Sequence, residues 1–362
     1  MLQRVVNYLF TTQSDDFNGL LSVLESEYFD NIKIRESVIS HDDFIDKILD
    51  VSNKLSNKKI IISLSGGVDS MVLTTILHYF NFDVIGVHIN YNNREETGKE
   101  QEFLEKWCNL NGIKLYVKSI NDIKRNNTKR KDYELITKNI RLDFYKEVMK
   151  KENVEYVMLG HHKDDIVENI FANFARGRNL LDLAVIREQA TINGVKIVRP
   201  MLEYNKDTIY KFAFENNVPY FKDTTPLWSV RGKYRQIIEP ALKDAFTEHV
   251  KTKLLNMSEQ SDEWNLLIQK EIIRPFFEKV LITIDDDKIV IKFNPEKYKS
   301  YPVTFWQVIF IELFNTHGYN APSKKGIQTF LNNLDNNNKE ISLANSCKCL
   351  IKNENIYLTF KK

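Results

Sequence analysis

A phosphate-binding loop is indicated by one short run, Ser65, Gly66, Gly67, Val68, Asp69 and Ser70. Its two glycines let the backbone approach a phosphate group that a side chain would keep away. The helix predicted to begin there offers unpaired N–H groups and the positive end of its dipole. Asp69 suits an anion only through a bridging cation, so we assign it to Mg²⁺. The alternative is a tight turn with a serine N-cap, which is disfavoured because the run directly follows an apolar strand.

A second group of chemically active side chains lies in a later run, Gly160, His161, His162, Lys163, Asp164, Asp165, Ile166, Val167 and Glu168. Side chains three and four residues apart share a helix face, so Glu168 lies on one face with either aspartate. Acids at a helix N-terminus are also good capping groups, which is the structural alternative. We favour a functional site, because three acids and two histidines meet at one strand end in the sheet that carries the phosphate loop.

These residues must be positioned by alternating strands and helices. Continuous apolar runs, typical of buried parallel strands, occur at KKIIISLS, DVIGVHIN, KLYVKSI and EYVMLGHH. Segments of helical periodicity separate them. The spacing predicts an α/β fold with a doubly wound parallel sheet, in which ligands bind beyond the carboxyl ends of the strands. Both candidate motifs follow such strand ends.

The texture of the chain suggests four segments. Residues 1–57 are expected to be an N-terminal helical extension, 58–222 the α/β domain, 223–280 a helical linker or substrate region, and 281–362 a small α+β domain that closes with two strands. Trp107, Trp264 and Trp306 lie in helical apolar patterns and are expected in the core, whereas Trp228 is a candidate for stacking on a base.

Composition excludes several protein classes. The 362 residues are 43% hydrophobic, which excludes a disordered chain. Lys and Arg number 51 against 49 Asp and Glu, so any nucleic-acid site must be a local basic patch. Three cysteines cannot form a disulfide framework, and no apolar run is long enough to span a membrane. We therefore expect a cytoplasmic protein without a membrane anchor.

The two motifs together resemble those of the tRNA(Ile)-lysidine synthetases, a branch of the PP-loop N-type ATP pyrophosphatases. SGGVDS is similar to the PP-loop, and residues 160–168 are similar to the family block G/A-H-H-x-D-D-x-x-E-T, with Asn169 in place of threonine. GVHINYNNRE resembles the second-strand motif through His88, Asn90 and Arg94. The resemblance therefore rests on separate motifs in the same chain order as in the family.

Further segments extend the resemblance over residues 59–245. Residues 134–141 resemble a family helix with the pattern Glu-x-x-x-Arg-x-x-Arg, in which Lys138 replaces the first arginine. Residues 174–177 and 199–202 fit the L-x-R-G and R-P-L-L motifs. The sequence departs from the family between 223 and 235, where Asp-x-Ser-Asn and Arg-Asn-x-x-Arg are usual; the chain has Asp223, Thr224 and Thr225, then Arg231, Gly232, Lys233, Tyr234 and Arg235.

The resemblance implies a PP-loop ATPase fold of the adenine nucleotide alpha hydrolase type, with ATP and Mg²⁺ as cofactors. Residues implied in ATP binding are Ser65, Gly66, Gly67, Val68, Asp69, Ser70, His88, Asn90, Gly160 and His161. Catalytic roles are implied for Asp69, Arg141, His162, Asp165 and Glu168. The substrate lysine is expected at Asp164, Asp165 and Glu168. Basic side chains expected to contact tRNA are Lys129, Arg130, Lys131, Arg231, Lys233 and Arg235, the first three lying in a loop that could equally be only solvated.

The implied reaction is an ATP-dependent ligation. The C2 carbonyl oxygen of an anticodon cytidine attacks the α-phosphate of ATP, pyrophosphate leaves, and the amino group of lysine then displaces AMP. Two alternatives stay open: a PP-loop ATP pyrophosphatase that modifies another RNA base or uses another nucleophile, and a non-catalytic nucleotide- or RNA-binding module. Transfer of the γ-phosphoryl group is disfavoured because the loop lacks the lysine of G-x-x-x-x-G-K-[ST].

Overall fold

The computed structural model describes residues 42–361, together with 34 and 39, with gaps at 56–57, 93–95, 122, 124–127, 182, 184, 222–224, 226, 248 and 286. The chain divides into two compact units, Met1–Gln260 and Ser261–Lys362. The finer division into four segments stays a prediction. Residues 1–33, 35–38 and 40–41 of the expected N-terminal helical extension lie outside the described residues.

The first unit contains a six-stranded sheet. Its strands are β1 (Lys59–Ser63), β2 (Asp83–Asn90), β3 (Lys114–Ser119), β4 (Tyr156–Met158), β5 (Gln189–Ile192) and β6 (Val195–Val198). Their order is β3-β2-β1-β4-β6-β5, and all pairs are parallel except β5 with β6. The predicted α/β class with a doubly wound sheet is confirmed. The antiparallel edge strand β5 was not predicted, because its four residues alternate between exposed and half-buried and form no apolar run.

Five helices precede or connect these strands in the described part of the chain, and a sixth follows them: α1 (Asp43–Asn53), α2 (Val68–Tyr79), α3 (Glu96–Leu110), α4 (Arg130–Glu152), α5 (Lys163–Ala175) and finally α6 (Lys206–Glu215). The central strand β1 is buried on both faces, as its continuous apolar run requires. Phe44, Ile48 and Val51 of α1 belong to the same apolar core. The end of the N-terminal segment is therefore part of the α/β unit.

A helical segment follows the sheet. It consists of α7 (Val230–Lys233), a π-helical turn (Tyr234–Ile238), α8 (Glu239–Phe246) and α9 (Val250–Ile268). Gly232 and Tyr234 are buried, and the Tyr234 ring lies 5.3 Å from that of Phe171 on α5. This contact holds the start of the segment against α5, the helix that carries Asp164, Asp165 and Glu168; these three acids are called the acid motif below.

The second unit has its own sheet and core. After a π-helical turn (Gln269–Ile273) and α10 (Arg274–Phe277), the elements are β7 (Leu281–Ile284), β8 (Lys288–Phe293), a 3₁₀ turn (Glu296–Tyr298), α11 (Val303–Thr316), α12 (Lys324–Leu331), β9 (Lys339–Ala344), β10 (Cys347–Lys352) and β11 (Asn355–Lys361). The strands form an antiparallel sheet in the order β7-β8-β11-β10-β9. The unit therefore has the α+β character predicted for the tail.

Two sequence expectations for the second unit are wrong. Three strands close the chain rather than two, because Asn353 and Glu354 turn the chain with φ of 48° and 59°, and this pair lacks the glycine that usually marks such a turn. Trp264 is 59% exposed, although Trp306 and Trp107 are buried as predicted. Among the described residues, no helix is long and apolar enough to cross a membrane.

Candidate active site

The phosphate loop connects β1 to α2 and is held by its own serines. Ser70 Oγ accepts from the backbone N–H of Ser65 at 3.1 Å and donates to the carbonyl of Gly67 at 3.0 Å. Gly66 has a φ of +86°, which favours glycine, and its carbonyl accepts from the backbone N–H of Phe221 at 2.9 Å. Gly67 caps α2 without a side-chain acceptor. The N-terminus of α2 therefore has the properties of an anion site.

Gly160 brings the two motifs together. A Cβ atom at this position would lie 2.9 Å from the carbonyl carbon of Asp69 and 3.0 Å from the backbone nitrogen of Ser70. Only glycine allows the exit of β4 to pass this close to the first turn of α2. Helix α5 begins three residues later, with His162 as its N-cap. The N-termini of α2 and α5 thus lie side by side at the carboxyl ends of β1 and β4.

Two carboxylates of this site are paired with lysines of the chain itself. Lys206 Nζ lies 2.6 Å from both carboxylate oxygens of Asp69. Asp164 Oδ2 accepts from the backbone N–H of Lys206 at 2.8 Å, and its other oxygen accepts from Lys251 Nζ. Lys251 Nζ also lies 2.6 Å from Glu239. Asp69 and Asp164 are therefore demonstrated cation-holding positions.

The other two carboxylates are paired with arginines. Arg235 donates from Nη2 to Asp165 at 3.0 Å and from Nε to Glu168 at 3.2 Å. Arg231 contacts the same two acids, with its Nε 3.2 Å from Glu168. Asp165 also accepts from the backbone N–H of His162 at 3.0 Å, so it caps α5 as well. Arg231 and Arg235 lie inside the candidate site; their contact with RNA stays a prediction.

Burial and charge determine the protonation of the acid motif. Burial opposes ionisation of Asp164, but His162, Lys251 and the backbone N–H of Lys206 favour the carboxylate more strongly, so the pKa of Asp164 lies well below its ordinary value. Asp164 is thus an anion at neutral pH.

His162 lies at the centre of the acids. Its side chain is buried, and its ring nitrogens lie 3.7 Å from Asp69, 3.5 Å from Asp164 and 3.4 Å from Asp165. Neither nitrogen has a hydrogen-bond partner among the described residues. A buried imidazole with unused nitrogens between three carboxylates is well placed to accept a proton.

The neighbouring His161 has a different environment. Its Nδ1 accepts from Arg199 Nε at 2.9 Å, which leaves the ring proton on Nε2. Burial, followed by the positive charges of Arg199, Arg231 and Arg141, lowers the pKa of His161 to about 3. His161 is therefore neutral at physiological pH and presents one N–H donor. The two adjacent histidines differ in their environments.

Two further predicted nucleotide contacts, His88 and Asn90, lie on β2, and Arg141, predicted to be catalytic, lies on α4. His88 Nδ1 lies 2.9 Å from the carbonyl oxygen of Leu64, and burial lowers the pKa of His88. Asn90 donates to Gln101 at 2.9 Å. Burial opposes the charge of Arg141, but Tyr91 and Tyr145 outweigh it and raise the pKa of Arg141. His88 therefore joins β2 to Leu64, the residue directly before the phosphate loop.

Other predicted residues lie away from these contacts or outside the described residues. Lys129 and Lys233 are exposed, as tRNA contacts would need to be. The side chains of Arg130 and Lys131 lie outside the described part, as do Arg94, Asp223 and Thr224. Trp228 is 41% exposed, so its ring is accessible for stacking.

Sequence reasoning missed Lys206 and Lys251. Lys206 is the first residue of α6, where a positive charge opposes the helix dipole, and this was the available signal. Lys251 is separated from Asp164 in the chain by β5, β6 and several helices, and no local pattern marks their pairing.

The chain is similar to several known proteins. A profile described as a PP-loop domain matches residues 40–237. The tRNA(Ile)-lysidine synthase of Enterococcus faecalis is 30% identical over 52% of this chain and 41% of its own length; that of Chlamydia felis is 28% identical over 65% and 74%. Among solved structures, the U34-tRNA thiolase NcsA of Methanococcus maripaludis aligns with a TM-score of 0.48 and 20% identity over 61% of this chain and 79% of its own.

The matched region identifies the family, but it does not cover the full length of the relatives. The chain spans about half the length of the curated relatives that it matches. The profile covers more than half of this chain and contains the phosphate loop and the acid motif. The resemblance to tRNA(Ile)-lysidine synthases expected from the motifs is confirmed, and the chain belongs to the PP-loop domain family.

Proposed function

We propose that this protein is an ATP-dependent ligase that adenylates the C2 carbonyl of a tRNA anticodon cytidine and joins lysine to it. One observation supports the proposal: an uncapped helix N-terminus and four carboxylates that are paired with cationic side chains share one site, joined at the contact of Gly160 with Asp69. The reaction needs such a pair of half-sites, because ATP is an anion and the side chain of lysine is a cation. The names of the relatives support the same substrates.

The first half of the reaction belongs to the phosphate loop. The N–H groups at the start of α2 and the serine hydroxyls would bind the phosphates of ATP. The cytidine oxygen forms a bond to the α-phosphorus, and the bond from that phosphorus to pyrophosphate breaks. His161, with its Nε2 proton, and Arg141 are the candidates to stabilise the charge that develops on the phosphates.

Asp69 fits the Mg²⁺ expected with ATP. Its carboxylate is 26% exposed and already holds a cation, the Lys206 ammonium. The described residues contain no cluster of three or more His, Cys, Asp or Glu that could hold a metal ion. Mg²⁺ commonly takes one or two carboxylates together with phosphate oxygens, so Asp69 alone is sufficient on the protein side. When bound, the ion would neutralise charge on the departing pyrophosphate.

The second half of the reaction belongs to the acid motif. A lysine substrate would place its ammonium group against Asp164, Asp165 or Glu168, which already bind cationic groups of the chain. The attacking amine forms the bond to C2 of the base, and the bond from C2 to the oxygen of AMP breaks. The proton of the amine can pass to His162, whose ring nitrogens have no hydrogen-bond partner among the described residues.

The test is an assay of AMP formation with radiolabelled lysine and total tRNA. We expect AMP that depends on tRNA, together with label in tRNA. Asp69→Asn should lower AMP formation by about a hundredfold or more, because the neutral amide cannot hold the cation. An unchanged unfolding temperature of that variant is the control for folding. AMP without lysine incorporation would contradict lysine as the nucleophile, and tRNA-dependent AMP at the normal rate from Asp69→Asn would contradict the role of Asp69.

A further inference from the structure

Lys206 lies where the phosphate loop and the acid motif meet. Its Nζ lies 2.6 Å from both oxygens of Asp69, and its backbone N–H donates to Asp164 at 2.8 Å. The residue follows the N-cap Asn205 at the start of α6. Lys206 therefore contacts Asp69 of the phosphate loop through its side chain and Asp164 of the acid motif through its backbone.

The Lys206 ammonium lies beside two helix ends that by themselves disfavour a cation. It belongs to the first turn of α6 and contacts Asp69 in the first turn of α2, and helix N-termini favour anions. The side chain is only 19% exposed, so desolvation adds to the cost of its charge. The carboxylate of Asp69 offsets both effects. The ammonium thus stands in a place whose helix ends are suited to phosphate.

We infer that Lys206 is a nucleotide-binding residue that changes its anionic partner. Its ammonium pairs with Asp69 in the ligand-free protein and with a phosphate of the nucleotide when the nucleotide binds. The inference rests on the proposed function, since it requires a nucleotide at the loop. Lys206 competes with a divalent cation for Asp69 and follows the incoming phosphate. Its backbone N–H stays hydrogen-bonded to Asp164 throughout, so Asp164 keeps its orientation during the exchange.

A permanent ion pair and an exchanging one differ in whether the Lys206 ammonium contacts the nucleotide. Removal of the ammonium frees Asp69 for a metal ion in both cases, so the decisive comparison is made in Asp69→Asn, where the carboxylate charge is absent. If the pair is permanent, adding Lys206→Met to Asp69→Asn leaves the affinity for the metal-free nucleotide unchanged. If Lys206 exchanges, the added change weakens that affinity, because a phosphate contact is lost.

The experiment compares Asp69→Asn with the double variant that also carries Lys206→Met. Binding of α,β-methylene-ATP in EDTA is followed by calorimetry. We expect the affinity for the metal-free analogue to fall about tenfold when Lys206→Met is added, the size of one charge-assisted hydrogen bond. Lys206→Arg in the same background keeps a cation and should restore the affinity for the analogue.

Lys211→Met is the matched control. Lys211 lies on the same helix, is 72% exposed and pairs only distantly with Glu215, at 3.9 Å. Its replacement in Asp69→Asn should leave the affinity for the analogue unchanged. An equally unchanged affinity after adding Lys206→Met overturns the inference, while wild-type binding of the analogue with Mg²⁺ keeps the proposed function. If the wild-type protein does not bind the analogue even with Mg²⁺, the inference and the proposed function fail together.

Discussion

At the scale of residues, the candidate site is a set of charges that the chain itself neutralises. Asp69 and Asp164 are paired with Lys206 and Lys251, and Asp165 and Glu168 with two arginines. An acid left buried without a partner would cost several kcal/mol. Under the proposed function, charged ligands would replace these internal partners.

His161 provides a test of this charge arrangement through pH. Burial and nearby cations hold its folded pKa at about 3, whereas the ordinary value is 6.5. The unfolded chain thus binds a proton near pH 6.5 that the folded chain does not bind until about pH 3. The stability of the folded chain is therefore highest above pH 6.5 and decreases as the pH falls from 6.5 towards about 3.

We expect His161→Gln to lose less stability than the wild-type protein on acidification. The glutamine carbonyl can still accept from Arg199 Nε but cannot titrate. The measurement is the free energy of unfolding in urea, at about pH 7.5 and about pH 5. Identical pH dependence of the two proteins would contradict the lowered pKa of His161 in the folded chain.

The local part of the site was predictable from residue types, and the long-range part was not. SGGVDS and the acid motif can be recognised in the sequence, because backbone conformation and helix capping are local properties. Arg231 and Arg235 looked like an RNA patch, since a basic run gives no sign of which acids it faces. Their partners are far away in the chain, and only folding brings them together.

At the scale of elements, the site depends on how closely two strand exits approach. Continuous apolar runs were sufficient to predict β1 to β4, because strands buried on both faces leave a strong pattern. The contact between Gly160 and the first turn of α2 has no such pattern. It determines whether the phosphate loop and the acid motif form one site or two.

Gly160→Ala tests this approach. The added methyl group would lie 2.9 Å from the Asp69 carbonyl carbon, so α2 or the β4 exit must shift. We expect a loss of about 1–3 kcal/mol in the free energy of unfolding, together with weaker binding of α,β-methylene-ATP. Gly98→Ala is the control, since Gly98 lies in α3 with open space around its Cβ position; that change should stabilise the protein by up to about 1 kcal/mol. Normal stability and binding in Gly160→Ala would contradict the importance of the close approach.

At the scale of the whole molecule, the two units each have a separate apolar core. One core runs from Ile34 to Tyr220, and the other from Ile273 to Phe360. The α+β character of the second unit was predictable from its mixed strand and helix patterns. Its last hairpin was not, because Asn353 and Glu354 form a turn without the usual glycine.

Trp306→Ala tests the independence of the second core. Trp306 is fully buried, with aromatic neighbours Phe276, Phe293, Phe305, Phe310 and Phe330. Its loss should cost about 3–5 kcal/mol and lower one unfolding transition, while binding of α,β-methylene-ATP stays unchanged. Trp264→Ala, at a site that is 59% exposed in the same unit, should leave both transitions in place. A parallel fall in nucleotide binding would show that the units do not act independently.

The hydrogen bond from Phe221 to Gly66 has a consequence for the order of events during synthesis. The phosphate loop leaves the ribosome early, but β4, Gly160 and then Phe221 emerge much later. Long-range contacts of this kind form slowly, because they close large loops. The nascent chain therefore carries an incomplete loop until Phe221 has been translated. Stalled chains that end before Phe221 should be unable to retain nucleotide, whereas chains extended through the first unit should retain it.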